Sequence, residues 1–481
     1  MKMCINYKLL NIKPDKMYHK FFYVVFIAGI ACTFSSCTKD LDLRPTDAVD
    51  ASKAYTNIKD VTAGLFSVYA ANSVRGEALP GMNRIYNGSI LADEVKLSDE
   101  NRGQGQFQFK WQYTASSNPA GLGQLYSMID QVHRILDALP NIPAANTEEE
   151  NTKKRIAAEL IALRGIAYLE LMINFIAQGY DPNGLAVPLV LKSELLQQPP
   201  RNTVQEIMTQ VESDLAAGRT ESLIPNAPDD PLRLSQSAIA AYQARAALLR
   251  KDWDNAITFA SSAITLSGKT LSMAEYPAFF SDENESETIF TYRNNTTPQT
   301  LWIDTNGDIF FEPADKLKNL FDRDNDIRFF TFFGSGGGDT SIVIKYPGSS
   351  RGPQINDLKL VRLAEMYLIR AEASAEKGQL TNAANDINAL RRERINGYAD
   401  VAFASKEIAI AEILNERFKE LCFEGFRFFD LKRRTLAINR DLSDSRNATW
   451  QNLPADSYLF ALPIPNTEFE GNPNMVQNPG Y

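Results

Sequence analysis

Along most of this chain apolar residues recur at spacings of three and four, the interval that puts them on one face of an α-helix. Leu125, Ile129, Val132, Ile135 and Leu136 mark one such stripe, and Ile156, Leu160, Leu163, Ala167 and Leu171 mark a second. Residues 183–191 read as a turn and a short apolar strand or extended loop, and helical spacing resumes over 203–216. Pro143 and Pro199-Pro200 are breaks, because proline lacks a backbone donor and clashes with the preceding turn. A repeat then emerges. In 235–264, Trp253, Ala256, Phe259 or Ala260, and Ala263 follow a turn; in 360–390, Leu380, Ala383, Ile387 and Leu390 follow Gly378. Alanine lets paired helices approach closely while bulky neighbours, Trp253 among them, fill the grooves, as in tetratricopeptide units. Unrelated alanine-rich hairpins would give the same stacked antiparallel helices.

The period changes over 268–357. Residues 287–293, 308–311, 327–333 and 341–346 are short β-like runs separated by Asn, Asp and Gly clusters. This reads as a loop-rich insertion on the helical scaffold, where binding groups tend to sit. Residues 80–123 form a second loop region. The last stretch, 458–481, has prolines at 463, 465, 473 and 479 and is expected to be extended and pressed on the body.

At the other end, lysines at 8, 13, 16 and 20 precede Phe21 to Phe34, fourteen residues without a charge. Spanning a bilayer takes about 20 apolar residues, so the run reads as a secretory signal. Ser35 and Ser36 before Cys37 resemble a bacterial lipobox, with Phe34 departing from the usual aliphatic residue at −3. Residues 1–36 are therefore expected to be a lipoprotein signal peptide, Cys37 the acylated first residue, and 37–50 a charged tether. A start at Met17 would leave the same mature chain. Residues 51–481 are expected to form one domain. Within it, helical repeats occupy about 119–266 and 357–434, binding insertions about 77–118 and 268–356, and the tail 451–481.

Composition narrows the function classes. At 481 residues, 44% hydrophobic and 23% charged, the chain is ordinary globular material. Residues 1–36 carry five lysines against one aspartate, so their removal takes the net charge from −9 to −13. Such a surface repels nucleic acid and anionic lipid. Of the four cysteines only Cys422 lies outside the N-terminal segment, so the body has no internal disulfide. His19 and His133 are the two histidines, too few for a multi-histidine zinc site and unfavourable to a serine or cysteine hydrolase.

Individual motifs carry little catalytic chemistry. Residues 334–339 (GSGGGD) lack the Lys-Ser/Thr of a phosphate loop and read as a turn. Asp322, Asp324 and Asp326 sit at calcium-loop spacing, but Ile327 stands where an EF-hand needs glycine and Phe333 where it needs glutamate. Glu416, Glu420 and Glu424 could supply a glycosidase pair. Arg417 and Arg427 lie one turn from Glu420 and Glu424, however, and would hold them ionised as structural ion pairs. Aromatic rings bind the flat C–H faces of sugars, while Asn, Asp and Arg bond the hydroxyls. Trp302 and Tyr292 in the central insertion, with Trp111, Asn101 and Arg102 in the first, are the candidate ligand residues. No catalytic residue, metal or cofactor is expected.

Three segments together resemble the SusD/RagB family of surface lipoproteins of Bacteroidota. They are 360–373 (LVRLAEMYLIRAEA), 415–433 (NERFKELCFEGFRFFDLKR) and the tail with Leu462-Pro463-Ile464-Pro465 and Gln477 to Tyr481. The resemblance implies an all-α scaffold of tetratricopeptide-like pairs with a loop-rich, partly β, binding half. It implies a non-enzymatic protein, anchored by lipid on the outward side of the outer membrane, that captures glycans or other nutrients and passes them to a TonB-dependent, SusC-like transporter. Arg362, Glu365, Arg370, Glu372, Glu416, Arg417, Glu420, Glu424, Gly425 and Arg427 match the family's scaffold and identify the fold, not the ligand. The rival expectations are a surface glycoside hydrolase using two carboxylates and a structural transporter subunit without its own ligand.

Overall fold

The computed structural model describes residues 54–71, 82–116, 121–194, 196–293, 302–303, 306–337, 340–353 and 355–481. The expected signal, Cys37 and the tether lie outside the described residues. Helices α1 (Ile58–Ala71) and α2 (Met82–Ile90) lead to strand β1 (Val95–Leu97) and the short α3 (Gln106–Phe109). Then come α4 (Leu122–Ala138), α5 (Thr147–Phe175), α6 (Val204–Thr220), α7 (Gln236–Arg250) and α8 (Trp253–Ser267). Four of these begin at a capping side chain. Asn146, Ser235 and Asp252 accept from a first-turn N–H, and Thr203 with Glu206 forms a reciprocal capping box.

The central insertion contains α9 (Tyr276–Phe280), β2 (Thr288–Tyr292), β3 (Phe311–Pro313), α10 (Asp315–Lys318) and α11 (Ile327–Phe332). The paired strands β4 (Phe333–Gly337) and β5 (Thr340–Val343), the tiny hairpin β6 (Gly348–Ser349) and β7 (Gly352–Pro353), and β8 (Leu358–Arg362) follow. Scaffold then resumes with α12 (Leu363–Glu376), α13 (Leu380–Arg392), α14 (Lys406–Glu420) and α15 (Arg427–Arg433). The fold is all-α with small two-stranded sheets scattered through it.

Consecutive pairs stack: α5 on α6, α6 on α7, α7 on α8, α8 on α12, and α12 on α13 and α14. The central insertion therefore loops out between two neighbouring repeats without parting them. Ala256, Ala260 and Ala263 on α8, and Ala383, Ile387 and Leu390 on α13, are fully buried, as their spacing predicts. Two pairs share a polar staple. Arg164 on α5 grips Asp214 on α6 through two bonds of 2.9 and 2.7 Å, and Arg370 on α12 grips Asp386 on α13 with the same two distances. Between repeats, Arg245 of α7 reaches Glu365 of α12 through two bonds of 2.7 Å.

The C-terminal end of α14 carries a buried ionic core. Glu420 accepts from Arg328 at 3.0 Å, Arg362 at 2.8 Å and Arg394 at 3.1 Å, all fully buried. Glu416 pairs with Arg328 and Arg391, and Glu424 with Arg362 and Lys345, each at 2.6 to 2.8 Å. The partners differ from those that helical spacing predicts. Arg417 turns to Asp430 at 3.0 Å and Arg427 to Asp93 at 2.7 Å. A fully buried carboxylate needs several donors at once, and one helix face cannot supply them, so the arginines come from α11, β8 and the end of α13.

Two other expectations are corrected. Residues 327–332 form a helix rather than a strand, because Asp326 caps its first turn and holds Arg328 in the core. The tail is pressed on the body, with Leu462 and Ile464 fully buried, but it is not wholly extended: Asn466–Gly471 is helical. Pro465 precedes the first turn, where proline costs no hydrogen bond.

Candidate ligand-binding site

The two loop-rich insertions meet through antiparallel pairing of β1 with β3, Leu97 lying opposite Phe311. Beyond the strands the contact continues. The Ser98 N–H donates to the Phe310 carbonyl at 3.2 Å, and the Asn101 amide donates to the same carbonyl at 2.9 Å. Glu100 accepts from the Ile309 N–H at 3.1 Å, and the Arg102 guanidinium pairs with Asp308 at 2.6 Å. Segments about two hundred positions apart are thereby fused into one rim.

Asn101 builds the loop itself. Its amide also donates to the Gln104 carbonyl at 2.9 Å, and its oxygen accepts from the Gly103 N–H at 2.8 Å and from Gln106 Nε2 at 3.0 Å. Asparagine favours this turn because its side chain bonds its own downstream backbone. Gly105 follows with φ 63°, and a Cβ there would collide with the Tyr86 hydroxyl. The chain then enters α3. Residues two apart on a helix face about 200° apart, so Phe109 is buried while Phe107 is 66% exposed. Trp450, half-buried on the neighbouring segment, has the Lys110 ammonium 4.5 Å over its ring.

The structure distributes the five sequence candidates unevenly. Asn101 and Arg102 lie on the rim, and the Arg102 side chain is 73% exposed. Trp302 lies directly behind it, its carbonyl accepting from the Phe310 and Phe311 N–H groups at 2.7 and 3.2 Å. Its ring is fully buried, edge-on to Phe311 and Phe423 and tilted against Tyr86. Trp111 is buried too, donating to the Leu91 carbonyl at 2.9 Å with the Arg440 guanidinium 4.2 Å over its ring. Tyr292 belongs to another sheet, on β2 opposite Leu358 and against Phe290. None of these three rings offers a free face. Large aromatics in a loop-rich region are needed to form its core, and that requirement claims them first.

Sequence reasoning missed Phe107 and Trp450. A strand-like reading of "QFQF" puts both phenylalanines on one face, and only the helical turn separates them. It also missed Arg440, which donates to the carbonyls of Ile90, Ala92 and Phe109 at 2.7 to 2.9 Å and so pins the base of the first insertion.

The candidate acid–base pair fails on geometry. Glu416, Glu420 and Glu424 are buried against cations, and although burial opposes ionisation the neighbouring guanidinium and ammonium groups hold all three below the ordinary carboxylate range. None reaches solvent or can deliver a proton there. The three calcium-spaced aspartates diverge as well. Asp322 is engaged by the Asp324 and Asn325 N–H groups, whereas Asp326 is buried on Arg328. Among the described residues no group of three or more His, Cys, Asp or Glu is placed to hold a metal.

Comparison with known proteins places this architecture. Residues 342–481 match the SusD family model, and residues 41–248 match a second, SusD-like model described as starch-binding and associating with the outer membrane. A SusD-like protein of Formosa agariphila is 22% identical, the match covering 87% of this chain and 91% of that one. The starch-binding protein SusD of Bacteroides thetaiotaomicron is 36% identical over a shorter stretch, 26% of this chain and 22% of the relative. A crystal structure of a SusD superfamily protein from Bacteroides thetaiotaomicron superposes with a TM-score of 0.78, covering 88% of this chain and all of that one at 23% identity, a likeness that establishes the fold. With family models on both the early helices and the α12 to tail region, and that fold throughout, the chain belongs to the SusD/RagB family.

Proposed function

We propose that this protein is a non-catalytic capture protein for glycans at the outer-membrane surface, and that the rim joining the two insertions is its ligand face. The observation that carries the reading is that one short loop, turned by Asn101, presents both an exposed Phe107 ring and an exposed Arg102 guanidinium. An apolar ring together with an exposed guanidinium is a combination that suits sugar faces and sugar hydroxyls. The guanidinium end of the pair is the exposed one, so sugar hydroxyls can reach Arg102 while Asp308 holds it from below. The family description and the starch-binding relative support the ligand class. Burial of the α14 carboxylates supports binding without bond cleavage and weighs against a glycoside hydrolase.

In this reading Cys37 carries the lipid, residues 37–50 form the tether, and the protein faces outward. A TonB-dependent, SusC-like transporter receives the captured ligand. Calorimetry with the soluble mature chain against a panel of starch fragments and other oligosaccharides tests it. Phe107→Ala and Arg102→Ala are each expected to weaken the best ligand at least tenfold with unchanged melting temperature. Unaltered affinity in both variants removes the rim as the ligand face, and hydrolysis of any panel member restores the enzyme reading.

A further inference from the structure

A second polar cavity lies on the central insertion and shares no residue with the rim. Its walls are the turn at 282–285, the strand β2, the β6–β7 hairpin and the start of β8, and its volume is about 230 Å³. One water occupies about 30 Å³ of liquid and drug-sized sites begin near ~300 Å³, so the space suits a small molecule or one ring of a longer chain.

The lining is charged but balanced. Arg293, Arg351 and Lys359 face Asp282, Glu285 and Asp357. Arg351 bridges Asp282 at 2.9 Å and Asp357 at 2.6 Å, Lys359 pairs with Asp282, and Arg293 lies 3.3 Å from Asp357. Asp282 also accepts from the Asp357 N–H at 2.8 Å, which saturates it. A charged ligand would have to break this matching, whereas a neutral one leaves it intact. What remains open is hydroxyl chemistry. Among the described residues neither the Thr288 hydroxyl, on a residue only 2% exposed, nor that of the exposed Ser350 makes a hydrogen bond, and the exposed Glu285 lines the same space as an acceptor. Both hydroxyls are therefore open to the cavity, and a ligand that both donates and accepts can bond them in place of water.

Resting on the glycan-capture reading, we propose that this cavity is a second subsite that takes a single neutral sugar ring, as a chain end or a branch. The fixed guanidinium and carboxylate edges orient the hydroxyls, and Thr288 bonds the one that enters deepest.

The test titrates the soluble mature chain with methyl glycosides of glucose, galactose, mannose and xylose, and with galacturonate and glucosamine as charged controls. Neutral glycosides are expected to bind in the millimolar range, at least tenfold tighter than either charged sugar. Thr288→Val and Glu285→Gln should each weaken them at least fivefold at unchanged melting temperature, while Phe107→Ala leaves them unaffected. If Thr288→Val unfolds the protein, Glu285→Gln and Ser350→Ala carry the test. Loss of glycan binding in rim variants alone overturns the subsite and leaves the rim reading standing. Loss of methyl-glycoside binding in cavity variants alone supports the subsite, and the oligosaccharide panel decides the rim separately. Failure of every methyl glycoside to bind at 50 mM overturns the subsite while oligosaccharide binding that depends on Phe107 and Arg102 keeps the rim, and failure of both panels overturns both.

Discussion

Glu94 is the residue whose burial has the clearest consequence. It is fully buried, its carboxylate accepts from the Phe423 N–H at 3.0 Å, and among the described residues no cation forms an ion pair with it. Burial, with Asp93 beside it, pushes the carboxyl up to about 8, against the opposing pull of Ser89, the Phe423 N–H and Lys345. The unfolded chain releases this proton near 4.5. Between those limits the folded protein holds a proton the unfolded chain has lost, so the stabilisation present below pH 4.5 declines as pH rises and is gone above about 8. The slope from this group is at most about 1.4 kcal/mol per pH unit. Glu94→Gln is expected to gain on the wild type across that window, and parallel urea curves for the two proteins from pH 5 to 9 would overturn the assignment. Trp302, read from sequence as a ligand platform, is expected to behave as core. Trp302→Ala should lose about 3–5 kcal/mol of stability by denaturant titration, and a loss under 1 kcal/mol would show that its ring does not support the rim.

At the scale of elements, periodicity revealed the helix pairs because each repeat buries a stripe the sequence must encode locally. The ionic staples were not legible in the same way. Glu420 and Arg417 are three apart on one helix, yet Glu420 takes its donors from three distant segments, and only packing decides which guanidinium arrives. The Arg245–Glu365 pair joins repeats separated by the whole central insertion. Removing one partner leaves an uncompensated buried charge, at a cost of about 3–5 kcal/mol. Arg245→Met is therefore expected to destabilise by that amount, and Arg245→Met with Glu365→Leu to recover most of it. A double variant no more stable than the single one would mean that α7 and α12 are held by apolar packing alone. The strand expected at 327–333 was misread because an aromatic run this short fits either period, and the Asp326 cap with buried Arg328 settles it in favour of a helix.

At the scale of the molecule, the proposed lipid anchor is read from the first residues and the ligand face from the body. Cys37→Ala is expected to abolish labelling by a fatty-acid probe and to release the chain from membranes. A single acyl chain anchors only marginally, and stable retention takes more than one. Full membrane retention of the variant would reject Cys37 as the anchor. The rim depends on the opposite kind of information. Asn101 and Arg102 were recognisable as loop chemistry, but their pairing with Asp308 and the Phe310 carbonyl joins insertions that the chain separates by most of the scaffold.

Sequence alone determined the stacked helix pairs, the loop-rich insertions between them, the N-terminal signal pattern and the family resemblance, because each is written in neighbouring residues through helical period, residue size and local turn chemistry. Tertiary structure decided which aromatics are core and which ring is exposed, and which arginine meets which carboxylate. It also decided that two remote loops form one rim while Tyr292 stands apart from it. Burial and ion pairing depend on what the rest of the chain brings within a few ångströms, and no local pattern carries that information.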